Sequence, residues 1–105
     1  MFSLQPDPTF RKRVRLPIPG KRKAGQTIEF EFRHKDQDAL QAWLESIRDG
    51  RTEADALDEI IVRWWGPDEE YSREVLAKAC KQLPALAATI LQAYTRELTE
   101  AEAGN

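Results

Sequence analysis

Few side chains in this sequence could do covalent or metal chemistry. There is one cysteine, Cys80, and one histidine, His34. A thiol nucleophile would need the two paired. Cys80, however, lies on an apolar helical stripe, where a small inert thiol is expected, and His34 follows a strand pattern at an exposed exit. A metal site needs three or four clustered ligands. Asp68-Glu69-Glu70 gathers three carboxylates but lacks the spacing of a calcium loop, so a solvated acidic loop is expected there. Gly20-Lys21 superficially resembles a phosphate loop, but the upstream glycine and the Ser/Thr after the lysine are missing. No catalytic residue, no metal ligand and no cofactor is assigned. Function must therefore come from surfaces.

Charge is the first surface signal. The 105 residues carry a net charge of −2. Residues 1–35 hold 9 Lys/Arg and 3 Asp/Glu, a balance of +6, and residues 36–105 hold 7 and 15, a balance of −8. Such a dipolar chain either orients its packing against copies or a charged partner, or neutralises itself within the fold. The basic residues Arg11, Lys12, Arg13, Arg15, Lys21, Arg22, Lys23, Arg33 and Lys35 could track phosphates as a β-ribbon in a major groove. Glu29 and Glu31 on the same face, and a pI near 5.5, disfavour a nucleic-acid partner. That ribbon remains the alternative function, as a small nucleic-acid-binding or regulatory protein.

The remaining totals are those of an ordinary globular protein. Composition is 41% hydrophobic and 32% charged. A chain of this size buries about 65% of its unfolded surface. No run of about 18 apolar residues predicts a membrane span, and no signal-type segment opens the chain. A single cysteine excludes an intrachain disulfide and fits a reducing compartment.

The elements that must position these residues follow from period. Residues 1–8 carry two prolines and predict an extended arm. From Phe10 the even positions Phe10, Val14, Leu16 and Ile18 are apolar, Lys12 being the one exception, and the odd positions Arg11, Arg13 and Arg15 are charged, which is a strand with one wet face. Pro17 and Pro19 make it an edge or its end. Gly20 to Gly25 is a turn. Ile28, Phe30 and Phe32 alternate with Glu29, Glu31 and Arg33. The two runs predict an antiparallel hairpin over 10–33, with Arg13 or Arg15 opposite Glu29 or Glu31. Its apolar face needs a cover.

Helices over 36–98 supply it. Leu40, Trp43, Leu44 and Ile47 predict a helix over 37–48, capped by Asp36 or Asp38 and stopped at Gly50. Thr52 starts a second, in which Leu57, Ile60, Ile61 and Trp64 repeat the spacing up to Gly66-Pro67. Ser72 caps a third, with Tyr71 and Leu76 placed as a hydrophobic staple. Pro84 kinks it or starts a fourth, which carries Leu86, Ala87, Ile90, Leu91, Tyr94 and Leu98. The tail over 99–105 is polar and frayed. The fold expected is a single α+β domain, an N-terminal antiparallel β-hairpin packed on a bundle of three to four α-helices. On a helix Trp64 and Trp65 point about 100° apart, so Trp64 is assigned to the core, and Trp65 either lies across a neighbouring helix or the hairpin or forms part of an interface. Trp65, Tyr94 and Ala88 on the small-residue flank of the last helix, with Arg13 and Arg15 on the hairpin, are the candidate partner contacts.

The order of these features resembles a known family. Pro8-Thr9-Phe10, Val14-Arg-Leu-Pro-Ile-Pro-Gly20 and Phe30-Glu-Phe32 form one block. Trp64 near a turn, Tyr71-Ser72, Pro84, Ile90, Tyr94, Leu98 and Gly104-Asn105 follow in sequence. The whole is similar to the small tail assembly chaperones of long, non-contractile-tailed bacteriophages and prophages, over nearly the entire chain. The Trp64-Trp65-Gly66 order departs from the family's Gly before a single Trp. The resemblance implies a protein that is not an enzyme. It implies binding of the helical tape-measure protein in the bacterial host cytoplasm, help to tail-tube subunits polymerising around it, and absence from the finished particle. It also implies a longer form made by ribosomal frameshifting. Self-association would add avidity along such a client.

Overall fold

The structure is a computed structural model that describes residues 1–16, 18–20 and 26–100. The predicted hairpin is present as β1 (Thr9–Arg15) and β2 (Thr27–Arg33). Its register sets Phe10 against Phe32, Val14 against Ile28 and Arg13 against Glu29. His34 N–H donates to Pro8 O at 2.9 Å and Leu16 N–H to Gln26 O at 2.7 Å, which adds a rung at each end. Most of the predicted turn, residues 21–25, and the tail beyond Glu100 lie outside the described residues, as does Pro17.

Helix starts are set by local chemistry. Asp36 accepts from Ala39 N–H at 2.8 Å and opens α1 (Gln37–Arg48). Thr52 Oγ1 accepts from Asp55 N–H at 3.3 Å and opens α2 (Glu53–Ile60). Ser72 Oγ accepts from Val75 N–H at 3.1 Å and opens α3 (Arg73–Gln82). Each side chain satisfies a donor that the first turn leaves orphaned. Pro84 lies in a break rather than a kink, and α4 (Leu86–Thr99) begins after it without a side-chain cap.

The second helix is shorter than its spacing predicts. It ends at Ile60, and Ile61–Trp65 is a third strand, β3. The sheet order is β1-β2-β3, so β1 is an edge as expected. Two causes convert the helical pattern into a strand. Ile61-Val62-Arg63-Trp64-Trp65 is rich in β-branched and aromatic residues, which favour a pleated surface. The register against β2 also shifts: Trp64 faces Phe30 and Arg63 faces Glu31, but Ile61 faces Phe32. Val62 is thus the extra residue of a β-bulge. The bulge lets Ile61 and Trp64, three residues apart, point to the same side, which is the spacing a helix would give. Arg33 secures the switch, its guanidinium donating to Glu59 O at 3.2 Å and Ile61 O at 3.0 Å.

The helices cover one face of this sheet. Val14, Ile28, Phe30, Phe32, Ile61 and Trp64 are buried there with Leu57, Leu76, Leu86 and Ile90. Tyr94 is the hub. Its ring lies 5.1 Å from Phe32, 5.3 Å from Trp43 and 5.9 Å from Phe10, measured between centroids. Its hydroxyl donates to Arg33 O at 2.7 Å. Trp43 Nε1 donates to Ala56 O at 3.0 Å and Trp64 Nε1 to Glu69 O at 2.9 Å, so each polar edge in the core has a partner. Gly66 closes β3 with φ +129, and a Cβ there would meet Thr27 O at 3.1 Å.

Candidate functional site

Strand alternation in β3 separates the two tryptophans more sharply than a helix would. Trp64 is 8% exposed and Trp65 39%. Trp65 stands on the outward face of the sheet, in register with Glu29, which itself pairs with Arg13. The next row is Arg11, Glu31 and Arg63, and Arg15 sits opposite Thr27 at the end. The structure therefore brings Trp65, Arg13 and Arg15 onto one surface.

That surface is interleaved in charge. Arg63 Nε reaches Glu31 at 3.0 Å, Arg11 reaches Glu29 at 3.8 Å, and Arg13 reaches Glu29 at 4.0 Å. Exposed pairs of this kind contribute about 0–1 kcal/mol each. Their effect here is to hold cations around an apolar ring. The Arg11 guanidinium lies over the Trp65 ring, 4.3 Å from its centroid. Arg11 was not among the expected contacts, because its partner becomes visible only when β3 is a strand. Beside Trp65 the acidic loop follows. Arg63, Trp65 and Asp68 to Glu70 line a shallow hollow of about 540 Å³.

Two expected contacts lie elsewhere. Tyr94 is fully buried and offers no surface to a partner, since its ring is enclosed by Phe10, Phe32 and Trp43. Its place four residues after Ile90, on the buried stripe of α4, was the signal for that. Ala88 is exposed on α4, in the helical layer, and does not share the Trp65 face.

The other cations of the N-terminal section turn to the body. Lys12 pairs with Glu97 at 3.3 Å. Lys35 and Arg51 both grip Glu59, Arg51 at 2.5 Å. Lys35 first, and Arg51 after it, hold the Glu59 carboxyl below its usual range against the opposing effect of burial. Asp55 is likewise held low, by Arg73 first and then Thr52. The sequence dipole is thus partly closed within the fold, and the ribbon face carries carboxylates between its arginines. Lys21, Arg22 and Lys23 lie outside the described residues.

The chemistry of the remaining candidates is limited. Cys80 is half-buried on α3, and burial, then Glu53, pushes its thiol up, away from the reactive thiolate. Among the described residues, no three His, Cys, Asp or Glu side chains come together as a metal ligand set. No helix among them is long and apolar enough to cross a membrane.

A family model described as "Phage tail assembly chaperone" matches residues 1–105, the whole chain. No curated protein and no solved structure matches it. An α+β chain whose outward surface is a charge-laced sheet around one exposed tryptophan, and whose full length fits that family, belongs to the phage tail assembly chaperones.

Proposed function

We propose that this chaperone binds the tape-measure protein in the bacterial host cytoplasm, promotes assembly of tail-tube subunits around it, and is absent from the mature virion. It acts by binding alone, without catalysis. The observation that supports this reading is Trp65, an aromatic side chain held outward on a stiff sheet and ringed by cations and carboxylates. Exposed aromatic anchors with a polar rim are the usual anatomy of a protein interface. A long amphipathic helix presents an apolar stripe flanked by both charge signs, which this face complements. Arg13 and Arg15 extend the contact along β1, and Ala88 offers a second, shallower contact on α4.

Co-expression with the tape-measure protein tests the reading. The client is expected to become soluble and to copurify, and Trp65→Ala is expected to weaken capture with folding retained. A client that stays insoluble and uncaptured would overturn it.

A further inference from the structure

The N-terminal arm and a groove beside α3 fit one another. Among the described residues, the large apolar side chains standing exposed are Met1, Phe2, Leu4 and Trp65. Three of these four lie in the first four residues. Single exposed apolar side chains are ordinary, but a cluster of them marks a contact. In an extended chain Phe2 and Leu4 share one side, about 6.6 Å apart, with Ser3 and Gln5 on the other. No charge lies between Phe2 and Pro6, so the arm itself carries no ion into a contact. Within one chain the arm bends at Leu4 and Gln5, held by Gln5 N–H donating to Ser3 Oγ at 3.0 Å. One exposed hydrogen bond is a weak restraint.

The groove has a volume of about 340 Å³. Ile28 of β2, with Leu16 and Ile18 just beyond β1, forms one wall, and Val75 and Ala79 of α3, with Leu83 at its C-terminal end, the other; the charged Asp68, Glu69 and Lys78 also line it. It opens at the Leu16 end of β1. The arm leaves at the other end, where Pro8 O is held by His34. Seven residues separate Phe2 from Thr9, and seven more separate Thr9 from Leu16. At about 3.3 Å per residue the arm only just matches the strand, with nothing left for the reversal its own groove would require.

We propose that the arm of one copy seats Phe2 and Leu4 in this groove of a second copy. Arm and groove are different patches, so the contact is heterologous and can continue into a ring or a filament. It gives self-association a defined geometry and does not depend on the client.

Sedimentation velocity of the purified full chain over a wide concentration range tests the proposal. Concentration-dependent association is expected. It should be lost in the arm variant Phe2→Ser/Leu4→Ser and in the groove variant Ala79→Arg. Mixing the two variants should restore a species that stops at two chains, since one supplies the groove and the other the arm. A monomer at every concentration, or an arm variant that associates like the parent, would overturn it. Circular dichroism reports whether Ala79→Arg folds. If it does not, oxidative cross-linking of Phe2→Cys in one copy to Gln82→Cys in another, both in a Cys80→Ser background, decides. A mixed cross-linked dimer supports the exchange, and its absence refutes it. Client capture is scored separately, so failure of either idea leaves the other standing.

Discussion

Arg11 and Trp65 meet across the central strand, the guanidinium 4.3 Å from the ring centroid, although they belong to the two edge strands. The contact spans Glu29, which Arg11 also reaches. An exposed pair of this kind contributes about 0.5–1 kcal/mol. Arg11→Ala should therefore shift the urea midpoint only slightly. It should change the fluorescence of Trp65 clearly, because the ring loses its covering cation.

The adjacent tryptophans should behave oppositely. Trp64→Ala removes a buried ring packed against Phe30 and Tyr71 and should cost about 3–5 kcal/mol. Trp65→Ala should cost about 1 kcal/mol or less, by loss of the Arg11 contact and some strand packing. Denaturant titration measures both. Equal losses would mean that Trp65 is a core residue.

Tyr94 separates packing from binding. Tyr94→Phe deletes only the hydroxyl bond to Arg33 O, which should cost about 0.5–1.5 kcal/mol. Its capture of a tape-measure protein should equal that of the parent chain. A capture defect without a stability defect would restore Tyr94 as a contact.

Gly66 and Gly50 provide a backbone test. Both have positive φ, but only at Gly66 would an added Cβ meet a neighbour, Thr27 O. Gly66→Ala should thus destabilise more than Gly50→Ala, the latter by about 1 kcal/mol from strain alone. Thermal melts of the two variants give the comparison.

Acid should weaken the fold through Glu59. Its carboxyl titrates below the ordinary glutamate value in the folded chain, chiefly because of Lys35. The stability it contributes is present above the unfolded value, near 4.5, and is lost as pH falls through the lower folded one. Glu59→Gln should lower the urea midpoint at neutral pH and flatten its decline over that acid range.

What was legible in the sequence was local. Asp36, Thr52 and Ser72 act within three residues of themselves, so their caps could be read directly. That Arg13 or Arg15 would face Glu29 or Glu31 followed from two alternations, and the register makes Arg13–Glu29 the pair. What failed depended on distant chain. Whether Ile61 to Trp65 continues a helix or joins a sheet is decided by β2, against which those residues pack, and the bulge at Val62 disguises the strand as a helix. Trp65 could be read as outward-facing, but its company could not. Arg11, Glu29 and Arg63 gather around it only when three strands align. Tyr94 was legible from its stripe, yet as an aromatic it invited a role at the surface.

Val62 also sets a phase. Each residue turns a helix by about 100° and a strand by half a turn, and α2 passes into β3 with no intervening loop. The two counts cannot both stay aligned with the core unless one residue is left uncounted. Val62 is that residue. It synchronises the buried stripe of Leu57 and Ile60 with the inward side of Trp64, and in doing so it fixes which of two identical neighbours the outside world meets.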